Sequence, residues 1–415
     1  MIFFHTADIH FGVENYGKID PKTGIHTRLL DFKNSLEYMV NAAIEKQIDL
    51  FLFCGDAYKT AYPTPTQQKL LVTQLLKLHA ANIPVAIVVG NHDHPLSFGK
   101  THSLDVFDYL PVDGFHVFSR PELKVIPTKS GPVQIVGIPW PARNNVVTHD
   151  SHRFKSHSDV TTYLSERIGQ LIAQFAQDID TTMPAVLAGH LTVTSGIFSG
   201  SEKCAIFGSD PVFLPSQLAL PQFDYVALGH LHRYQNLNPQ GSPPVVYSGS
   251  IERVDFGERK EEKSFCSVNI ERHGSSKICS YDVIKLPTRP MIQIEITLNS
   301  STDQTSQILA TLKQYDLNEA IVKILYHLAD GSTDKVDLLA VQRACAHAMF
   351  LVGVIPVYKQ VKREKRAMLN FDMSFSTLLE KYIESKDHLK ERKDLILRKA
   401  LQLYNTIETP EDQQE

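Results

Sequence analysis

Basic residues are not in excess in this chain of 415 residues: 42 Lys and Arg face 46 Asp and Glu, a net charge of −4. A general electrostatic hold on nucleic acid or on a membrane surface is excluded, and any polyanion must be gripped locally. Cysteine is scarce too. The five, Cys54, Cys204, Cys266, Cys279 and Cys345, are scattered and form no C-x-x-C pair. That excludes a disulfide-stapled miniprotein and suits a reducing compartment. No run approaches the ~20 uninterrupted apolar residues of a membrane-spanning helix, and no membrane association is expected. The start, MIFFHTADIH, has no basic segment before a long apolar one, so export is not expected and the cytoplasm is the default. P-loop, helix-turn-helix and zinc-finger spacings, internal repeats and low-complexity tracts are all missing. What remains, at 43% hydrophobic and 21% charged, is a globular chain large enough for two or three domains.

From residue 1 to 285, short apolar runs alternate with amphipathic segments, the pattern of an α/β layered domain. Strands are expected at Met1–Thr6, Asp49–Cys54, Pro84–Val89, Val133–Ile138, Ala185–Ala188 and Tyr225–Leu228. Helices are expected at Thr27–Lys46, Thr66–His79, Thr101–Leu110 and Thr161–Gln177. The runs Pro244–Tyr247, Ser264–Ile270 and Ile278–Ile284 read as the second part of a sandwich, giving two facing sheets flanked by helices. The pattern pauses at Leu286–Pro290, and residues 286–358 then read β-α-β-α-β with no polar cluster at the strand ends. This small α+β unit is either a substrate-positioning cap or a structural appendage. From residue 359 a basic run, Lys359, Lys362, Arg363, Lys365 and Arg366, leads into a pair of amphipathic helices over the remainder to 415. One carries Phe375, Leu378, Leu379, Tyr382 and Ile383 on a stripe with Ser374 as its N-cap; the other carries Leu389, Ile396, Leu397, Ala400, Leu401 and Tyr404. Short helices must bury such faces on the chain's body or on a partner, and a partner is the reading taken.

The strand ends carry the chemistry. Asp8-Ile9-His10, Gly55-Asp56, Gly90-Asn91-His92-Asp93, Gly189-His190 and Gly229-His230-Leu231-His232 each follow an apolar β-like run. In open α/β sheets the ligand site lies beyond the carboxyl ends of the strands, where loops from distant sequence meet. A single Asp-x-His, Gly-Asp or Gly-His is commonplace and reads as a turn, a cap or a buried histidine; Gly-Asn-His-Asp is rarer, and five elements together in fixed order are not commonplace. Carboxylate, imidazole and carboxamide suit a hard-to-borderline divalent ion, Mn2+ foremost, with Fe2+ or Zn2+ as alternatives. In extended backbone the i, i+2 spacing of Asp8 with His10 and of His230 with His232 would put both side chains on one face. Seven donors, Asp8, His10, Asp56, Asn91, His190, His230 and His232, exceed the needs of one ion, so two divalent metal ions are expected. A bridging carboxylate, for which Asp56 is the choice, can hold such ions ~3.5–4 Å apart to clamp an in-line phosphoryl displacement.

In these motifs the chain resembles the calcineurin-like metallophosphoesterases, whose ordered signature is D-x-H, G-D, G-N-H-D/E, G-H and G-H-x-H. The resemblance implies a two-sheet sandwich and a binuclear centre, one ion on Asp8, His10, Asp56 and His232, the other on Asp56, Asn91, His190 and His230. His92 would then face the scissile phosphate as the catalytic residue, with Asp93 orienting it. Within that superfamily the chain looks most like the SbcD-type nuclease subunits over nearly its whole length. The supporting features are Pro63-Thr64-Pro65-Thr66, Gly137-Ile138-Pro139-Trp140-Pro141, Gly200-Ser201-Glu202 and Tyr247–Arg253 with Asp255-Phe256-Gly257. This resemblance implies an exonuclease on duplex DNA and endonuclease on single-stranded or hairpin DNA, working in DNA repair. It also implies a cap that orients DNA, and terminal helices docked on the coiled-coil root of an SbcC-type ABC ATPase. The assembly would be a homodimer within a heterotetramer. For its contact, Leu70, Leu71, Leu75, Leu104 and Phe107 on two helices are candidates, with internal core as the equal alternative. Where some relatives have a His or Asp after the Gly-Asp element, this chain reads Ala57-Tyr58-Lys59-Thr60, and Lys59 is either a phosphate contact or a solvated lysine. The competing functions are a phosphoesterase of small phosphodiesters or nucleotides, and a non-catalytic DNA-end scaffold.

Overall fold

A computed structural model describes residues 1–95, 100–109, 112–141, 157–200, 210–274, 276–299, 302–328, 332–358, 375–384, 386, 389 and 392–407. The Ser201-Glu202 motif, the basic run 359–366 and the expected cap Ser374 lie outside them.

Two six-stranded sheets face one another. In the first, β1 (Ile2–Thr6), β2 (Leu50–Phe53), β3 (Val85–Val88) and β4 (Phe115–Phe118) run parallel, extended beside β1 by antiparallel β13 (Ser264–His273) and β14 (Ser276–Lys285). In the second, β6 (Val133–Ile138), β7 (Ala185–His190), β10 (Tyr225–Gly229) and β12 (Val245–Tyr247) run parallel, edged by antiparallel β5 (Glu122–Ile126) and β11 (Gln235–Asn236). A separate short pair joins β8 (Thr192–Val193) to β9 (Val212–Phe213). The central strands β2, β3, β10 and β12 are apolar throughout because both faces are covered. Phe3, Leu50, Leu52 and Val88 of one sheet meet Ile135, Val186, Ala227 and Val246 of the other between the layers. Outside the first sheet pack α1 (Thr27–Glu45) and α2 (Pro65–Ala80), through Phe32, Leu36, Leu71 and Leu75. Outside the second packs α4 (His157–Asp178), through Ile168, Ile172 and Ala176. The expected two-sheet α/β sandwich is the fold observed.

Thr64 and Gln67 cap α2 reciprocally, Gln67 N–H to Thr64 Oγ1 at 3.4 Å and Thr64 N–H to Gln67 Oε1 at 2.9 Å, with Pro65 in the first turn. Two expectations need correction. Only Pro244–Tyr247 joins the second sheet, whereas the runs at Ser264 and Ile278 return to the first. There Cys266, Val268 and Ile270 enter the inter-sheet core while Phe265 turns to the helix side. Of the helix expected at Thr101–Leu110, Leu110 lies outside the described residues and only α3 (Val106–Tyr109) is helical among the others, because Ser103 N–H donates back to the Asp93 carbonyl and the chain turns there. Leu71, Leu75, Leu104 and Phe107 are core beneath the first sheet, not contact surface, with Leu70 partly buried against them.

A short helix α5 (Pro215–Leu218) precedes β10. Beyond Arg289, β15 (Met291–Thr297), α6 (Gln304–Leu312), β16 (Ile321–His327), α7 (Leu338–Ala344) and β17 (Phe350–Val357) build a three-stranded parallel sheet with its own apolar core, Ile294, Ile308, Val322, Ile324 and Val341 among it. Asp303 and Asp337 cap the two helices. The tail contains α8 (Phe375–Glu384) and α9 (Lys393–Ile407), which pack on each other; Leu389 of the expected second stripe precedes α9. Ile383 is buried, while Tyr382, Leu395 and Leu403 are exposed. Among the described residues, no helix is long and apolar enough to cross a membrane.

Candidate metal centre

All seven donors gather where the two sheets present the carboxyl ends of their parallel strands. Asp8 and His10 follow β1, Asp56 follows β2, Asn91 follows β3, His190 ends β7, and His230 and His232 follow β10. Three oxygen or nitrogen groupings, Asp8–His10–His232, Asp8–Asp56–His190 and His10–Asp56–His92, each hold their donor atoms within 4.8 Å of one another. Asp56 sits at the middle: its Oδ2 lies 3.4 Å from His190 Nε2, 3.8 Å from His10 Nε2 and 4.0 Å from His92 Nε2. Asn91 Oδ1 lies 2.9 Å from His190 Nε2 and 3.1 Å from His230 Nδ1.

The local backbone corrects one expectation. Asp8, His10, Asp56 and His230 all have positive φ, 54°, 51°, 60° and 101°, so the paired donors are aimed by left-handed turns and not by strand alternation. Asp and His tolerate this region better than most residues, and strain of about 1–3 kcal/mol each persists only where surroundings impose it. Here Asp8 N–H donates to Gly55 O at 2.9 Å, His10 N–H to Asp56 O at 3.0 Å, and His230 N–H to both Asp8 carboxylate oxygens at 3.1 Å. At Gly55, φ +93°, a Cβ would run into the His190 ring.

The ring nitrogens reveal what the pocket is built for. His232 Nδ1 meets Glu258 Oε1 at 2.8 Å, and His190 Nδ1 meets the Cys54 carbonyl at 2.8 Å. Each bond fixes the proton on Nδ1 and leaves Nε2 as a lone pair aimed inward. His232 Nε2 then stands 2.9 Å from His10 Nε2, and His190 Nε2 faces Asn91 Oδ1 and Asp56 Oδ2. Ring nitrogens and oxygens this close require a shared proton or a cation between them. His230 Nε2, buried, has no hydrogen-bond partner among the described residues. The residues therefore fit divalent cations.

Protonation points the same way. Burial and the neighbouring His232 hold His10 well below the ordinary imidazole range. Burial and the neighbouring His190 hold His230 down at about 3. Both are neutral, as a metal-ligating imidazole must be. Burial lifts Asp8 to about 6. Burial also opposes charge on Asp56 and His190, but their mutual attraction wins: Asp56 falls well below the carboxylate range and His190 rises to about 9. In the absence of an ion, a proton on His190 supplies the cation the carboxylates require.

His92 stands at the rim, its side chain 44% exposed, with Nδ1 donating to the Lys59 carbonyl at 2.8 Å. Lys59 thus contributes its backbone to the site. Asp93 does not orient His92 as expected: it is fully buried and accepts from the backbone N–H groups of Asp56, Ala57, Tyr58 and Gly90 at 2.8–3.3 Å, pinning the two loops together. Three contributors escaped the sequence reading. Trp140 lies with its ring centroid 4.8 Å from that of His230 and walls the site. Glu258 orients His232, and Lys263 pairs with Glu258 at 2.7 Å and donates to the His232 carbonyl. Burial would push Glu258 up, but His232 and Lys263 hold it at about 2. The only sequence signal for it was its place directly after Asp255-Phe256-Gly257.

The chain is 26% identical over 301 residues to a Staphylococcus epidermidis protein named as the D subunit of nuclease SbcCD, covering 71% of this chain and 72% of that one. It is 26% identical over 344 residues to the protein of the same name from Staphylococcus saprophyticus, covering 80% of each. A dimetal phosphatase from Danio rerio, known by crystal structure, aligns with a TM-score of 0.39 and 10% identity over 69% of this chain and 99% of that one. Residues 1–234, more than half of the chain and inclusive of every donor described above, match the calcineurin-like phosphoesterases, and the chain belongs to that family.

Proposed function

We propose that this protein is a metal-dependent DNA nuclease that holds two divalent ions, Mn2+ by preference. Asp8, His10, Asp56 and His232 hold one, and Asp56, Asn91, His190 and His230 hold the other. The observation that carries the reading is the inward aim of lone pairs from five strand ends at one buried point, with His92 alone exposed at its rim. Bound there, the ions supply Lewis-acid charge against a phosphoryl group and lower the pKa of a water beside it. The chain's own residues do the rest. Glu258 and the Cys54 carbonyl hold His232 and His190 in the ligating tautomer. The Lys59 carbonyl accepts from His92 Nδ1 and turns Nε2 toward the site, where a proton on Nε2, as in the imidazolium, would pass to the leaving oxygen. Trp140 excludes water from one wall.

DNA as substrate is supported by the relatives' name and by the added three-stranded unit, which the small-substrate reading leaves without a task. In this reading residues 1–285 are the nuclease, 286–358 a cap that orients DNA, and 359–415 the tail that binds an SbcC-type ABC ATPase. The assembly is a homodimer within a heterotetramer, repairing DNA in the cytoplasm. End-labelled linear duplex DNA and bis-p-nitrophenyl phosphate, each with Mn2+, test the reading: both are cleaved. Turnover of the small ester with intact DNA would transfer the protein to the small-substrate phosphoesterases.

The paired helices α8 and α9, with Tyr382, Leu395 and Leu403 exposed, support the partner role. A chain ending at residue 371 is expected to keep its fold and Mn2+-dependent cleavage and to lose co-purification with the ATPase. Continued co-purification would remove that role from the tail.

A further inference from the structure

One short turn touches both the metal centre and the cap. Phe256–Glu258 forms a single 3-10 turn, opened by Asp255, whose side chain accepts from Gly257 N–H. At its end Glu258 holds His232. At its start Phe256 enters an apolar seam with Met291 of β15, Ile321 of β16 and Met349 before β17, joined by Tyr16 of the nuclease body. The Tyr16 ring meets Phe256 edge-on at 5.2 Å, and the Lys323 ammonium of the cap lies 5.7 Å from the same ring.

The polar rim of this seam is tied to the same segment. Arg289, in the connection to β15, binds Asp31 of α1 through Nε and Nη2 at 2.8–3.0 Å, and through Nη1 the carbonyl and carboxylate of Glu319 in the cap, at 2.7 and 3.0 Å. Arg253, five residues before Glu258, binds Thr288 Oγ1 at 2.7 Å, the Arg289 carbonyl at 3.1 Å and the Glu261 carbonyl at 2.7 Å. Glu261 in turn meets Lys263, the partner of Glu258. An unbroken set of contacts therefore runs from the cap to a metal-facing histidine.

We infer that the turn Phe256–Glu258 couples the seating of the cap to the aim of His232, so that Phe256 and Arg289 are positioning residues for the metal centre. The inference rests on the metal-centre reading above. A seated cap fixes Phe256, Phe256 fixes the turn, and the turn presents Glu258 at hydrogen-bond distance to His232. DNA that engages the cap acts through the same contacts on the site that cuts it, and coupling of this kind is reciprocal.

Calorimetric titration of the full chain with Mn2+ tests this. Loss of a partner that orients a metal ligand weakens metal binding by about 10–100-fold, and Glu258→Gln serves as that benchmark. Phe256→Ala and Arg289→Gln, which touch no donor, are expected to weaken Mn2+ binding by about 3–10-fold, a fraction of that loss. In wild type, Mn2+ should also slow amide hydrogen exchange at Leu286, Thr288 and Arg289, the residues of 286–290 that carry an amide hydrogen, and Phe256→Ala should abolish that protection. The hydrogen-exchange arm on wild type stands even where a variant fails to fold. Mn2+ affinity in Arg289→Gln within twofold of wild type, with exchange at 286–290 indifferent to Mn2+, overturns the coupling alone. Wild type that binds no Mn2+ overturns the metal centre itself.

Discussion

Asp56→Ala should leave a folded protein that retains no Mn2+ after dialysis and cleaves neither DNA nor bis-p-nitrophenyl phosphate. The carboxylate lies within 4.0 Å of three imidazoles, those of His190, His10 and His92, and it is proposed for both ions. Its removal also takes away the acceptor of the His92 N–H at 2.9 Å, so the Gly90–Asp93 loop loses an anchor. Removal of a single electrostatic stabiliser from an active site costs about 10²–10³ in rate, and a group shared by two ions should exceed that. Asp56→Asn keeps an oxygen for the His92 N–H and separates loop anchoring from charge: it too should lose metal. Metal content per chain, measured by emission spectrometry beside a circular dichroism spectrum, checks both. Full Mn2+ occupancy in Asp56→Ala would deny the residue its bridging place.

His92→Ala should behave differently: metal retained, cleavage lowered about 10²–10⁴-fold, the usual contribution of a proton-transfer residue. The side chain is nearly half exposed and makes one hydrogen bond, to Lys59 O, so the fold has little to lose. Yet His92 Nε2 shares a 4.8 Å grouping with His10 and Asp56, close enough to ligate. Metal analysis decides. Loss of metal equal to that of Asp56→Ala would make His92 a ligand and remove it from the chemistry.

The gathering of the seven candidate donors was legible because each belongs to a polar cluster at the end of an apolar β-like run, and such a cluster stands out against its neighbours. The backbone that aims them was not. Alternation accounts for strand residues, whereas Asp8 and His230 sit in left-handed turns whose geometry is imposed by contacts with Gly55 and with each other. Strand membership failed where edges matter: Ser264–His273 has a pattern that either sheet would accept, and only the open side of β1 decides. Phe115–Phe118 and Glu122–Ile126 are too mixed in polarity to announce themselves as β4 and β5. Glu258 lies 26 residues from His232 at no ligand-like spacing, so its role exists only in the folded chain.

The proposed chelate is divided. Asp8, His10, Asp56 and Asn91 hang from one sheet, and His190, His230 and His232 from the other. The width of the jaw is therefore the thickness of the filling between the sheets, where Phe3, Leu52, Ala227 and Val246 interlock. A bulkier Ala227 would cost about 1–3 kcal/mol as overpacking anywhere; here it would also spread the two halves of the grip. Inheritance in that hidden layer answers to two judges, compactness and reach, and a swap harmless to the first can be fatal to the second without any gripping residue having changed.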